Sequence, residues 1–151
     1  MYLISILALA VVVGMICTWS GINITYLWDF PSLLWILAVT IPIMISAGLL
    51  KDLNNAFRFV LGKREAGSIR ELKRSVEAVT LAIRSLLMSG ILMALISFIV
   101  LLGKLDTPEK LGPILAVIIL PVVYATGFVT LLLPLRSQLK ARIIERLSEE
   151  E

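Results

Sequence analysis

Long apolar segments alternate with short charged segments along this chain. No Asp, Glu, Lys or Arg occurs within four segments, 1–28, 30–50, 85–103 and 111–135. A helix of about 20 apolar residues, rising 1.5 Å per residue, crosses the hydrocarbon layer of a membrane. We therefore predict four transmembrane helices, near residues 2–19, 32–50, 84–103 and 111–135.

Continuous apolar runs of this kind favour helices over a membrane β-barrel, whose strands alternate apolar and polar residues. The first run lacks the positive charges that open a signal peptide, and it is long for the apolar core of one. We therefore expect segment 2–19 to be a true span. The fold class predicted from the pattern is an all-α integral membrane protein with a single domain over residues 1–151.

The charged segment 51–83 joins the second and third predicted spans. Its first part places Leu53, Phe57, Val60 and Leu61 on one side of a helix, with the basic residues elsewhere. That amphipathic pattern is typical of a short helix that lies along a membrane surface. We therefore predict a short amphipathic cytoplasmic helix here.

A second helix of this segment begins at Ser68-Ile-Arg-Glu71, where a serine and a glutamate three residues apart form a capping box. No helix breaker follows until Gly90, so we predict one helix over about 69–103 that contains the third span and extends into the cytoplasm. At 1.5 Å per residue, this helix is about 50 Å long. Its protruding part either packs against a similar helix or lies flat on the membrane surface.

The distribution of lysine and arginine predicts the orientation. Of the 14 such residues, eight lie between the second and third spans, four lie in the tail 136–151, and only Lys104 and Lys110 lie between the third and fourth spans. Short loops that are rich in lysine and arginine remain in the cytoplasm. Both termini are therefore predicted to be cytoplasmic, and the net charge of +3 needs no nucleic-acid partner to explain it.

The composition argues against catalytic chemistry. The chain is 59% hydrophobic, contains no histidine and has Cys17 as its only cysteine, whereas a soluble domain is usually about 45–50% apolar. One cysteine cannot form a disulfide within the chain, and the sequence has neither a Cys/His metal motif nor a glycine-rich phosphate loop. We expect no enzymatic activity, no metal and no organic cofactor.

Small residues mark a close helix contact in the third span. Gly90, Ala94 and Ser97 recur at helical spacing, and such residues let a second helix approach closely. In the fourth span, Pro121 and Ala125 share a face with Phe128. Spacing alone leaves two interpretations open, because this seam faces either another subunit or the fourth span of the same chain.

Several stretches together resemble a known family. They are Asp29-Phe-Pro-Ser-Leu-Leu, Gly48-Leu-Leu-Lys-Asp-Leu-Asn-Asn-Ala-Phe57, Leu101-Leu-Gly-Lys-Leu-Asp106, Leu111-Gly-Pro-Ile-Leu-Ala-Val117, and Tyr124 followed by Leu133-Pro134-Leu135. In order and spacing, these stretches are similar to the MotA proteins, the A subunits of flagellar stators, which are related to TolQ and ExbB. The resemblance extends over residues 29–60 and 87–140.

The resemblance implies a motor subunit in the bacterial inner membrane. Proteins of this family form a homopentamer around a dimer of a single-span B subunit, such as MotB, ExbD or TolR, whose aspartate binds the transported H⁺ or Na⁺. Ions then pass between the A and B subunits along the third and fourth spans, and their flow drives rotation. The partners implied are further copies of this chain, a B subunit dimer and membrane lipid.

The resemblance also assigns residues. It implies that the ion path or partner-facing surface contains Gly90, Ala94, Ser97, Pro121, Tyr124, Ala125 and Phe128, and that Pro113 and Pro134 match helix bends of the family. Ala94 and Pro121 stand where the family commonly has threonine. The segment 51–83 is also much shorter than that of flagellar A subunits, which favours a different cell-envelope process.

Two alternatives remain at this stage. The first is a non-conducting membrane scaffold with the same fold, which the residues at positions 94 and 121 favour. The second is an unrelated four-span transporter or channel subunit, which would need a polar path within one chain.

Overall fold

Five α-helices make up the regular structure in a computed structural model of the chain, which describes residues 2–19, 21, 29–62, 68–103 and 111–149. They are α1 (Tyr2–Trp19), α2 (Phe30–Ser46), α3 (Leu50–Val60), α4 (Ile69–Leu102) and α5 (Leu111–Glu149). No β-strand occurs within these ranges. The prediction of an all-α protein is therefore confirmed for the described part of the chain.

Two of these helices are clearly long and apolar enough to cross a membrane, over Ile69–Leu102 and Ile114–Ser148. A third candidate arises if α2 and α3 are taken as one broken span, with a bend of 101° between them. Helix α1 is apolar throughout but shorter. The membrane character of the chain follows from these helices, whereas the count of four spans stays a prediction.

Helix α4 begins where the capping box predicts. The backbone of Ser68 is extended, with φ −151° and ψ 154°, and its Oγ accepts a hydrogen bond from the Glu71 N–H at 3.3 Å. The helix then continues without a break for 34 residues, to Leu102, which corresponds to about 51 Å. The prediction of one long helix over about 69–103 is confirmed, and this helix is long and apolar enough to span a membrane.

The charged beginning of α4 packs against a second long helix and does not lie apart from the protein. Helix α5 runs antiparallel to α4, and buried residues from both helices, Leu72 and Val79 with Leu135 and Leu139, belong to one hydrophobic core. We call this part of the pair, residues 69–83 and 136–149, the stalk. Of the two interpretations of the protruding helix, packing against a similar helix is the observed one, and the neighbour is α5 of the same chain.

Helix α5 extends beyond the predicted end of the fourth span. The uncharged segment ends at Leu135, but the helix continues to Glu149, with Pro121 and Pro134 inside it. A proline within a helix removes one backbone hydrogen bond without necessarily ending the helix, since the packed neighbour can hold the two parts in line. The tail 136–149 therefore adds about four turns to α5.

Helix α3 turns its apolar side toward protein. Ala56 and Phe59 are fully buried, and Leu53, Phe57 and Val60 pack against the core that α4 and α5 share. Leu61, which the sequence pattern places on the same side, is exposed and lies just after the helix. The short amphipathic helix is thus confirmed, but the prediction that its apolar face lies along lipid is corrected, because that face is covered by the stalk.

The remaining apolar surface is extensive. One side of α2, formed by Ser32, Ile36, Thr40 and Met44, is buried. Large apolar residues elsewhere on α2 and on α4 are exposed, such as Trp35 of α2 at 54% and Met88 and Ile99 of α4 at 67% each. Exposed apolar surface on this scale indicates an environment other than water, and for helices of this length that environment is lipid.

Candidate functional site

Helices α4 and α5 approach each other closely at Gly90. A Cβ atom placed on Gly90 would lie 2.5 Å from the Ala125 Cβ and 2.9 Å from the Pro121 carbonyl oxygen. Real Cβ atoms essentially never lie closer than 3.0 Å to another heavy atom. Glycine is therefore required here for the two helices to keep this separation, as expected for a small-residue helix contact in a membrane.

Three of the predicted site residues meet at this contact. Gly90, Pro121 and Ala125 are all buried, Ala125 with 1% of its surface exposed. Gly90 of α4 packs against Pro121 and Ala125 of α5, and both helices belong to the same chain. The packing of spans three and four within one chain, which the spacing left open, is therefore what the structure has at this level.

Pro121 also alters the hydrogen bonding of α5. A proline lacks the N–H that would bond to the carbonyl four residues earlier, which here is that of Val117. The side chain of Val117 is 56% exposed. The Val117 carbonyl oxygen points along the helix axis toward Pro121, because a helical carbonyl faces the N–H position four residues later.

Ala94 and Ser97 lie farther along α4, toward Leu102, and are partly buried. The Ser97 hydroxyl makes no hydrogen bond with the residues that the structure describes, whereas the Ser85 and Ser89 hydroxyls donate back to the carbonyl oxygens of Ala82 and Leu86. Such back-bonding is usual for serine within a helix. Ser97 is therefore the predicted site residue whose hydroxyl is available to a further group.

Tyr124 joins α5 to the beginning of α2. Its hydroxyl accepts a hydrogen bond of 2.8 Å from the backbone N–H of Asp29. Asp29 is the N-cap residue of α2, and its carboxylate accepts a hydrogen bond from the Ser32 hydroxyl. Tyr124 thus holds the first turn of α2 against α5, while Phe128, one turn farther on, is partly buried against the core.

A buried polar pair lies between α2 and α4. The Thr40 and Ser89 hydroxyl oxygens are 3.5 Å apart, with 6% and 1% of the residues exposed. Sequence analysis singled out neither residue. The signal was present in the spacing of small residues along α4, because Ser75, Ala78, Ala82, Ser85 and Ser89 form a second stripe beside the Gly90 seam.

Contacts at the stalk fasten α3 at both ends. The carboxylate of Asp52, in the first turn of α3, forms an ion pair with Arg74 of α4 at 3.2 Å. The Arg142 guanidinium of α5 donates to the Phe59 carbonyl oxygen, in the last turn of α3, at 2.7 Å. Both contacts place opposite charge at the ends of the α3 dipole, which is the favourable arrangement.

The resemblance to the MotA proteins implies helix bends at Pro113 and Pro134. The side chain of Pro113 lies outside the described side chains, although its backbone is in the first turns of α5. Pro134 is partly buried inside α5, and the helix passes through it. The part of both prolines in an ion path stays a prediction.

Metal ligands do not converge in the ranges that the structure describes, where no group of three or more His, Cys, Asp or Glu side chains could hold an ion. Cys17 is a free, buried thiol in α1. The polar side chains that α4 and α5 contribute at membrane depth are those of serine, threonine and Tyr124, which all carry a hydroxyl group. Thr126 and Thr130 donate back to carbonyl oxygens of α5, at 2.8 Å each for their i−4 partners.

Comparison with protein-family models, with curated proteins and with solved structures finds no match to this chain. The similarity to MotA, TolQ and ExbB therefore rests on the residues quoted above, and membership of that family stays a prediction. The geometry itself supports a membrane protein whose α4 and α5 form one long, tightly packed pair.

Proposed function

We propose that this chain is the A-type subunit of a motor driven by an ion gradient across the bacterial inner membrane. It would assemble as a homopentamer around a dimer of a single-span B subunit, and flow of H⁺ or Na⁺ would drive a cell-envelope process other than flagellar rotation. One observation carries the proposal: α4 and α5 are continuous from the uncharged segments into the charged stalk. A movement at membrane depth would therefore reach the stalk without a flexible joint.

The absence of ionisable residues from segments 85–103 and 111–135 supports a partner that supplies the charge. Ion and proton paths through membranes normally contain ionisable side chains, and this chain has none at that depth. An aspartate brought by a B subunit would fill that role. A buried carboxylate would need nearby hydroxyls, backbone groups or water to be tolerated.

Ser97 is the residue of this chain best suited to contact such a carboxylate. It is partly buried on α4, and its hydroxyl is not engaged within the described structure. Gly90, Pro121 and Ala125 offer no such group, since they are apolar and covered by one another. The partner helix would therefore contact α4 between Ala94 and Leu102, on the side of the Gly90 contact that is away from the stalk.

Purification of the tagged chain from its native membranes tests the assembly. We expect the chain to co-purify with a single-span protein that has an intramembrane aspartate, and native mass spectrometry to count a pentamer of this chain with a dimer of that partner. A complex with another number of copies, or one without such a partner, would contradict the proposal.

Ion flux tests the mechanism. In vesicles that contain the complex and a pH-sensitive dye, an imposed gradient should drive proton flux that falls when the partner aspartate is changed to asparagine. The variant Ser97→Ala should reduce the flux, and Thr126→Ala, a matched removal of a hydroxyl that is back-bonded on α5, should not. Equal flux in wild type and in the aspartate variant would exclude conduction through the partner aspartate.

A non-conducting scaffold of the same fold is the second candidate, and one observation favours it. Gly90, Pro121 and Ala125, where the resemblance implies the ion path, pack against each other within the chain. A scaffold would need that tight contact and no open polar route. It predicts a pentamer in the mass measurement but no flux that depends on the partner aspartate.

An unrelated four-span transporter or channel subunit is the third candidate. It would need a polar path or a polar binding pocket within the chain. The groove of about 380 Å³ along α2 is lined by apolar side chains only. Solute transport by the isolated chain in vesicles, without any partner, would favour this candidate over the other two.

A further inference from the structure

Arg136 is the first charged residue after the uncharged segment 111–135, so it lies where α5 leaves the apolar part of the molecule. Its side chain is partly buried, and its Nε atom is fully buried without a hydrogen-bond partner. A buried donor of a charged group that is left unpaired is unfavourable. The terminal nitrogens of the guanidinium group share its positive charge and are the atoms that an anion from outside the chain could contact.

Lys140 lies one turn farther along α5 and is exposed. Residues four apart are neighbours on a helix surface, so the Lys140 ammonium group and the Arg136 guanidinium group share one side of α5. Within the described ranges, no carboxylate forms an ion pair with Arg136 or Lys140. The two cations are therefore available to an anion from outside the chain.

The same side of α5 continues as apolar surface toward the membrane. Leu133, three residues before Arg136, is 48% exposed, and Val129, one further turn away, is partly buried. An extended molecule with an anionic head and an apolar tail would place its head at the two cations and its tail along these side chains. That chemistry and this order along the helix are those of an anionic phospholipid in a bilayer.

We propose that Arg136 and Lys140 form a binding site for the phosphate group of an anionic phospholipid, whose acyl chain lies along Leu133 and Val129. Arginine is suited to this role because its planar guanidinium group binds two phosphate oxygens at once. Clusters of lysine and arginine directly beside a membrane span attract anionic lipid, each residue strengthening binding about fivefold. The site does not depend on whether the chain conducts ions.

Lipid retention tests the proposal. The purified chain is reconstituted into vesicles of equimolar phosphatidylglycerol and phosphatidylcholine, extracted in mild detergent and examined by native mass spectrometry for bound lipid. We expect selective retention of phosphatidylglycerol. Arg136→Gln and Lys140→Gln should each lower that retention about fivefold. Arg146→Gln removes the same charge from an exposed position near the end of α5 and should leave the retention unchanged.

Three outcomes would overturn the proposal. They are equal retention of the two lipids by the wild type, equal retention by the Arg136 and Arg146 variants, and displacement of the lipid by inorganic phosphate alone. The last result would identify a free-anion site, because the acyl chain would then contribute nothing. Since Arg136 is partly buried, circular dichroism checks that Arg136→Gln folds, and the exposed Lys140 variant tests the site if it does not.

Discussion

Replacement of Gly90 by alanine is the most direct probe of the α4–α5 contact. The added Cβ atom would lie 2.5 Å from the Ala125 Cβ and 2.9 Å from the Pro121 carbonyl oxygen, whereas ordinary contacts begin at 3.4 Å. The carbonyl oxygen belongs to a helix backbone and the other atom to a short side chain, so neither can rotate away. The two helices must therefore separate by roughly an ångström, and overpacking of this kind destabilises a protein by about 1–3 kcal/mol.

A matched variant removes the effect of helix propensity. Alanine is favoured over glycine within a helix by about 1 kcal/mol, and this gain partly offsets the clash in Gly90→Ala. Gly127, on α5, has no heavy atom within 4 Å of the position of an added Cβ. The difference between Gly90→Ala and Gly127→Ala therefore measures the clash, and we expect the first variant to be less stable than the second by about 1–3 kcal/mol.

Unfolding in mixed micelles with an increasing fraction of denaturing detergent, followed by circular dichroism, gives the two free energies of unfolding. A difference of 1.4 kcal/mol corresponds to about a tenfold change in the unfolding equilibrium constant. Adding Ala125→Gly to Gly90→Ala should restore part of the loss, because the nearer contact is removed while the Pro121 oxygen remains. Equal stability of the two single variants would refute the packing argument.

Three further variants test contacts of α2 and α3. Tyr124→Phe leaves the Asp29 N–H without its acceptor on α5 and should lower stability by about 0.5–1.5 kcal/mol in the same unfolding assay. Arg142→Gln removes a charged donor from the Phe59 carbonyl oxygen, and hydrogen exchange should become faster in α3 than in the middle of α4, with a loss of about 1.5–3 kcal/mol. Asp52→Asn breaks the ion pair with α4, whose arginine is more than half exposed, so the loss should be at most about 1 kcal/mol and should shrink as salt is added.

The helices whose limits follow from local chemistry could be predicted from the sequence. Ser68 and Glu71 form a capping box, and a capping box is a contact between residues three apart, so it needs no knowledge of the rest of the fold. The absence of charge from long segments similarly predicts where lipid surrounds the chain. The prediction of α4 succeeded because both signals lie within the helix itself.

Helix α3 shows what the sequence could not provide. Its amphipathic pattern is correct, but an apolar face has the same composition whether it meets lipid or protein. The residues that decide the matter, Ala56 and Phe59, are buried by α4 and α5, which lie far away in the sequence. The contact of Arg142 with the Phe59 carbonyl oxygen joins residues 83 positions apart and left no local pattern to recognise.

The candidate site was predicted in part for a similar reason. The spacing of Gly90, Ala94 and Ser97 reports that another helix can approach closely, since only the size of these side chains enters that argument. It does not report which helix approaches. The structure supplies the neighbour at Gly90, which is α5 of the same chain, and leaves Ala94 and Ser97 partly exposed beyond that contact.

The burial of Gly90 against α5, with Ala94 and Ser97 left partly exposed, affects the choice between a motor subunit and a scaffold. A partner carboxylate cannot reach Pro121 while Gly90 and Ala125 cover it, so the proline cannot take the place of a threonine in an ion path at that level. Ser97 is the predicted site residue on α4 whose hydroxyl makes no hydrogen bond within the described ranges. Conduction would therefore have to proceed outside the Gly90 contact, where Ser97 is the predicted site residue that can offer a hydroxyl. If removal of the Ser97 hydroxyl leaves ion flux intact, Ser97 has no part in the ion path, and if the assembled complex shows no flux at all, the tight pair is a scaffold.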